Sequence, residues 1–463
     1  MVKNIFKVLV SNMVVLFTSF INTLIIPKIL TIDGYAEYQM FMLYISYVGL
    51  MTLGFHSGLF VKYGGKKREE IEKSQFKSEM HIVLVSQVII SCIIIAIAFF
   101  IKNELLFLAA LCILTSNFVS VYKYLYQAWD EFTKFSIISI FQSVGFSGIV
   151  LFVGILLKKI PALSVIYVYI VINAICFAIV FFEYMKQVRG IRAKKCISNA
   201  NLEIFSVGLL LMLGGAANVI FNSIDKYYIK FLFTNYEFSM YCFAITLLNV
   251  MNVFISAIAQ PMYLQLANHI DDYEERSKYK EMLLCFGALS GCAYYAVAVI
   301  VKYFIPEYLD SLSVVAILFA IFPAVAVINC LYVNLYKATN RVKKYIFTLF
   351  VMIICSVVLN AAFVFVDRNY LAITAATTIC YYIWYFLSAR HFEGLHVKIR
   401  DVIYLIGFLL IYFFITRITN VILGFVLYAV VIGSWSFIIY HKNLMILIRM
   451  SLKKVISKKK ERN

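Results

Sequence analysis

Apolar runs of about twenty residues, each closed by a short cluster of charged and turn-forming residues, recur along the whole chain. A helix of that length rises about 30 Å, the thickness of a bilayer's hydrocarbon. Fourteen such runs are read at 8–27, 38–60, 80–101, 105–122, 136–157, 164–185, 203–224, 239–266, 282–305, 311–335, 345–366, 370–388, 402–416 and 420–440. The run at 402–416 is the shortest of them. Few connecting stretches exceed about twenty residues, so no soluble catalytic domain fits between them. The pattern predicts an all-α polytopic membrane protein with about 14 transmembrane helices.

Composition agrees. Of 463 residues, 63% are hydrophobic and 14% charged, with mean hydropathy +0.89, whereas about a quarter of a soluble protein is charged. The first run is long for a signal sequence and has no A-x-A-like cleavage site, so it is read as a retained span. Of the 42 Lys and Arg, 33 fall in loops on the side of the N-terminus and 9 on the other. This bias places both termini of a multi-pass membrane protein in the cytoplasm. It also explains the net charge of +18 without nucleic acid. The tail SLKKVISKKKERN reads first as a topology anchor and second as a site for anionic membrane lipids.

The ten cysteines lie mostly inside apolar runs, with no CxxC pair and no zinc-type spacing. No metal or other cofactor is expected. An ATP-binding G-x-x-x-x-G-K-S/T loop is absent, as is any long external loop for catalytic residues. The chain is therefore not expected to be an enzyme.

Two polar decapeptides stand out among the apolar runs. YQAWDEFTKF (126–135) and YKATNRVKKY (336–345) share Tyr-x-Ala-x-Asp/Asn-x-x-x-Lys-aromatic at an offset of 210 residues. On the other face, DGYAEYQM after span 1 echoes NYEFSMYC after span 7, with Tyr38 and Tyr241 203 residues apart. Two echoes at similar offsets predict a duplication. Residues 1–200 and 201–400 would form six-helix bundles, and 401–463 would add two spans and a basic tail. An even number of spans per copy gives both halves the same orientation, related by a pseudo-twofold axis along the membrane normal. The decapeptide would then be a tight cytoplasmic connection after the fourth helix of each copy, with its aromatics at headgroup level.

Polar residues recur within the spans, and together they suggest a wet interior. Singly, each is first an interhelical hydrogen bond. Asn218, Asn222 and Asp225, at i, i+4 and i+7, would share a helical face. Asp225 with Lys226, Lys62, Lys123, Glu183 and His56 are ionisable groups in or at the ends of spans, hence functional suspects. Lys62 and Lys123 read first as snorkelling cations and second as ligands for a diphosphate. His56 reads first as a packed neutral ring and second as a proton carrier. Pro261 and Pro323 should bend spans 8 and 10.

With these residues in place the chain resembles the polysaccharide-biosynthesis flippases of the multidrug/oligosaccharidyl-lipid/polysaccharide exporter superfamily. The likeness runs through DGYAEYQ, GFHSGLFVKYG (54–64), YQAWDEFTKF, NSIDKYYIKFL (222–232), AIAQPMYLQLA (257–267) and PEYLDS (306–311). Relatives often carry Asp-Arg where this chain has Asp225-Lys226, which keeps the charge and loses the guanidinium fork. The resemblance implies a flippase moving an undecaprenyl-diphosphate-linked oligosaccharide, with a polysaccharide polymerase as the partner consuming its product. Substrate-binding candidates are Lys62, Lys123, His56, Asn218, Asn222, Asp225 and Lys226. An ion-coupled multidrug or metabolite exporter of the same superfamily is the nearest alternative. A membrane polysaccharide polymerase is a more distant one.

Overall fold

The computed structural model describes residues 2–194, 199–268, 272–418 and 420–460, and the described residues form helices without strands. In the first part of the chain these are α1 (Val2–Ile29), α2 (Ile32–Val48), α3 (Phe55–Tyr63) and α4 (Lys73–Phe100). There follow α5 (Glu104–Ala128), α6 (Phe132–Leu157), α7 (Ala162–Gln187) and α8 (Asn199–Phe221). The second part begins with α9 (Ile224–Leu232), α10 (Asn235–Asn268), α11 (Tyr273–Ser290) and α12 (Ala293–Phe304). It continues with α13 (Ser311–Phe319), α14 (Phe322–Val327), α15 (Val333–Ala338), α16 (Val342–Val366) and α17 (Tyr370–Ala389). The last two are α18 (Ile399–Ile415) and α19 (Val421–Lys460).

Among the described residues, ten helical segments are long and apolar enough to cross a membrane, and two bent pairs, α2/α3 and α13–α15, make further spans. Helices α8 and α18 stand where spans 7 and 13 are predicted. The 17 residues of α18 reach about 26 Å. Contacts divide the chain into two compact units, Met1–Ser223 and Ile224–Asn463.

In the first unit α5 is central, packed against α2, α3, α4 and α7, while α1 lies along α6. An aromatic core of Phe76, Phe118, Tyr122, Trp129 and Tyr184 fills one end. Helices α3 and α8 meet backbone to backbone: a Cβ on Gly54 would lie 2.1 Å from the Gly208 carbonyl oxygen, and one on Gly58 2.2 Å from that of Ile204. Span 2 breaks by 51° between α2 and α3, where Leu53 and Gly54 take φ of +50° and +77°. Such a break frees carbonyls that hydrocarbon cannot satisfy. Asn117 Nδ2 donates to the Val48 carbonyl at 2.9 Å and Gln87 Nε2 to that of Met51 at 3.0 Å. Asn117 also donates to Gln87 Oε1 at 2.6 Å, so each amide orients the other.

The second unit repairs its own break in the same way. Span 10 bends by 48° between α13 and α14, where Pro323 has no N–H to give. Thr378 Oγ1 donates to the Ile317 carbonyl at 3.1 Å and Tyr382 Oη to that of Ala320 at 2.7 Å, both from α17. The expected bend at Pro323 is thus present, whereas α10 runs unbroken through Pro261. Of the added helices, α19 packs against α11 and α18 against α19. A fully buried ion pair, Lys280 Nζ to Asp401 Oδ2 at 2.7 Å, joins α11 to α18. Tyr440 Oη donates to Asp401 Oδ1 at 2.8 Å, and Tyr428 Oη to the Ala288 carbonyl at 2.6 Å.

The two sequence echoes have matching local geometry. At the first decapeptide the Glu131 N–H returns to the Tyr126 carbonyl at 2.8 Å, and Asp130 has φ +59°. At the second the Arg341 N–H returns to the Tyr336 carbonyl at 2.8 Å, and Asn340 has φ +55°. Both are helix ends closed by one left-handed residue. Asn and Asp tolerate that conformation better than other side chains. The tyrosines also correspond: Tyr126 Oη donates to Glu183 at 2.5 Å, and Tyr336 Oη bonds His391 Nδ1 at 2.5 Å. Burial, with Lys344 and Arg341 nearby, lowers the His391 pKa. On the other echo, Thr31 and Thr234 each take the Gly34 or Glu237 N–H on the side-chain oxygen, at 3.1 and 3.4 Å.

Asn340→Val should cost on the order of 1–2 kcal/mol by forcing a β-branched residue to positive φ, and Asn340→Gly should be near neutral. Thermal unfolding in detergent measures both.

Candidate functional site

Most charges near the spans are matched within the fold. Lys62, at the end of α3, forms an ion pair with Glu79, whose side chain is fully buried. Tyr63 Oη and Gln75 Nε2 complete that carboxylate's shell at 2.5 and 3.1 Å. The decapeptide's charges are also spent locally. Glu183 on α7 accepts from Lys134 at 2.8 Å and pairs with Arg68. Arg68 also reaches Glu131 at 3.3 Å and Gln187 at 2.7 Å, and lies 4.9 Å from the centroid of the Trp129 ring. Arg68 and Lys134 against Glu131 and Glu183 make a neutral cluster that ties the decapeptide to α7. Glu79 and Arg68 escaped sequence reading because they sit in a mixed-charge stretch that resembles a solvated loop.

Lys123 differs. It sits on α5 facing α6 and α7, with no carboxylate partner among the described residues. Its Nζ donates to Gln142 Oε1 at 3.1 Å and lies 5.8 Å from the centroid of the Phe135 ring. Gln142 Nε2 donates to Asn173 Oδ1 at 3.1 Å, and Asn173 Nδ2 to the Tyr169 carbonyl at 2.9 Å. These residues line a crevice of about 390 Å³ within the first unit, a volume in the range of small-ligand sites. His56 packs its ring 4.7 Å from that of Tyr124, another lining residue, and shares a 2.6 Å hydrogen bond with Thr52.

In the second unit Asp225 is buried, 5% exposed. It accepts from Asn360 Nδ2 at 2.6 Å, Thr377 Oγ1 at 2.8 Å and Tyr241 Oη at 3.1 Å. All three donors are neutral. No ion pair joins Asp225 to Lys226 among the described residues; Lys226 is half-buried beside it in sequence. The Asn360 Oδ1, also buried, has no hydrogen-bond partner among the described residues. Asn218 and Asn222 bond each other, Asn222 Nδ2 to the Asn218 carbonyl at 2.8 Å. Because α8 ends at Phe221 and α9 starts at Ile224, Asn222 lies in a turn and no single helix face carries all three residues. Sequence reading named Asp225 but missed Thr377, whose hydroxyl looks like any other in an apolar run. The side chains of Lys3, Lys7 and the basic tail from residue 446 lie outside the described ones.

Interior polar sites in an apolar multi-span helical chain are of the kind a transporter uses. The family model of polysaccharide biosynthesis proteins matches residues 1–267, and the chain belongs to that family. Comparison with curated protein sequences gives no match. Among solved structures, the chain is similar to a lipid II flippase, MurJ, in an inward-closed conformation, with TM-score 0.68 and 14% identity over 96% of this chain and 100% of that one. It is also similar to a transporter of the multidrug/oligosaccharidyl-lipid/polysaccharide superfamily from Pyrococcus furiosus, with TM-score 0.44 and 12% identity over 85% and 94% of the two chains. The first likeness shows a shared fold along essentially the whole chain.

Lys62→Met alone should destabilise by roughly 3 kcal/mol, the cost of stranding a buried charge. Adding Glu79→Leu should restore most of that. Chemical unfolding of both variants in detergent is the check, and equal losses would show that the pair does not act as a unit.

Proposed function

We propose that the chain is a flippase for undecaprenyl-diphosphate-linked oligosaccharide repeat units. It moves them from the inner to the outer leaflet of the cytoplasmic membrane, for surface polysaccharide synthesis. Both termini lie in the cytoplasm, and two six-helix bundles alternate access to the substrate. The reading rests on the polar, cation-bearing crevice around Lys123 in a chain of the polysaccharide biosynthesis family. Moving one sugar hydroxyl into hydrocarbon without a partner costs roughly 4–8 kcal/mol. A head group with many hydroxyls therefore needs a polar path, and the amides and hydroxyls around Lys123 are of the kind that supplies one. The lipid tail stays in the bilayer. A polysaccharide polymerase is the partner that consumes the product.

Deleting the gene should cause the finished lipid-linked unit to accumulate on the cytoplasmic leaflet while surface polysaccharide disappears, as read by leaflet-selective labelling. Normal surface polysaccharide with new sensitivity to cationic drugs would favour the exporter reading instead.

The driving force is proposed from Asp225. A carboxylate buried among neutral donors, with the amide oxygen of Asn360 unpartnered beside it, is a group that a proton or a small monovalent cation would neutralise. The membrane potential adds a second source, since two charges crossing 100 mV gain about 4–5 kcal/mol. Asp225→Asn keeps the shape and removes the charge. It should leave expression normal and cut ion-dependent transport at least about tenfold, equivalent to about 1.4 kcal/mol. Full activity in this variant would make Asp225 purely structural.

A further inference from the structure

We propose that the crevice around Lys123 receives a single carboxylate-bearing sugar ring of the head group, a hexuronate; the assignment rests on the flippase reading above. The first argument is a charge count. Lys123 is the one basic residue lining the crevice, and no carboxylate lines it. An anion taken into such a place is stabilised when its charge is matched and costly when it is not. One ammonium matches one carboxylate. A diphosphate ester or a phosphate dianion would leave at least part of its charge unmatched there.

The second argument is the state of the donors. An ammonium has three N–H bonds, and Lys123 gives one to Gln142. Gln142 and Asn173 hold each other and the Tyr169 carbonyl, which fixes the side of the crevice against which Lys123 rests. Two N–H bonds of Lys123 are left to point at an incoming group, matching the two oxygens of a carboxylate. Ser120 and Gln127 also line the crevice, and neither side chain makes a hydrogen bond among the described residues. They are placed to take ring hydroxyls.

The third argument is the walls. Tyr124 and Phe135 face the same space as these polar groups. A pyranose has an apolar C–H face and a polar rim, so one aromatic side and one hydrogen-bonding side suit it. An inorganic anion would gain nothing from the rings.

The full-length protein in nanodiscs, titrated calorimetrically with methyl glucuronide, methyl glucoside or pyrophosphate at constant ionic strength, tests this. Methyl glucuronide should bind, methyl glucoside at least about tenfold more weakly, and pyrophosphate no better than the glucoside. Lys123→Gln should weaken the glucuronide about tenfold or more and leave the glucoside unchanged, whereas Lys123→Arg should restore binding. Ser120→Leu, which fills the crevice and keeps the charge, should weaken both sugars and serves if Lys123→Gln does not fold. Equal binding of acidic and neutral sugars, tightest binding of pyrophosphate, glucuronide binding unaffected by Lys123→Gln, or no sugar binding to the wild type would each overturn the assignment. None of these bears on lipid-linked transport itself, which is decided by the deletion strain.

Discussion

A carbonyl freed inside hydrocarbon must find a donor, and the interior of this protein is organised around that need. Span 2 breaks at Leu53 and Gly54, and span 10 at Pro323. Neighbouring helices supply the side-chain donors: Asn117 on α5 and Gln87 on α4 in one unit, Thr378 and Tyr382 on α17 in the other. An unmade bond of this kind costs several kcal/mol in a bilayer. The donors therefore decide which helices can pack beside a break. This makes α5 and α17 more than packing partners, since each carries groups that a neighbouring helix needs in order to bend.

The same need divides the polar residues of the spans into two groups. Asn334, which donates to the Ala259 and Cys330 carbonyls at 2.7 and 2.9 Å, belongs with the repair groups. Gln142, Asn173 and Lys123 instead build the wall of a crevice. The charges divide in the same way. Lys62 with Glu79, the Arg68 cluster, and Lys280 with Asp401 are neutral assemblies that fasten helices together. Lys123 in one unit and Asp225 in the other lack an oppositely charged partner among the described residues. A buried charge without a partner is costly, so its retention asks for a use that packing does not provide.

The fold was largely legible because hydrophobic run length reports span length directly. The break in span 2 was not read, since Gly54 alone does not show that Leu53 also turns left-handed. The two short echoes on which the expected duplication rests have matching local geometry. Their physical content is now clear: Asp130 and Asn340 share one left-handed cap, and Thr31 and Thr234 share one helix start. The site was only partly legible. Lys123 and Asp225 stand out because charge is rare in apolar runs. Lys62 stands out equally, yet its partner lies 17 positions away across a loop. Sequence spacing cannot show that two helix ends have been folded together.

That difference has a mechanistic consequence. A cation held by a buried carboxylate presents little net charge, so Lys62 contributes less to attracting an anionic head group than its position suggests. Attraction at a distance falls off over about 8–10 Å at physiological salt, and loop cations are better placed to supply it. Recognition at contact range is a separate task. It needs a cation whose donors are unspent and whose surroundings already satisfy everything else. Gln142 and Asn173 are bonded to each other before any substrate arrives, so they have little ordering cost left to add when Lys123 takes an anion. Pre-organisation of this kind lets a single charge select among head groups.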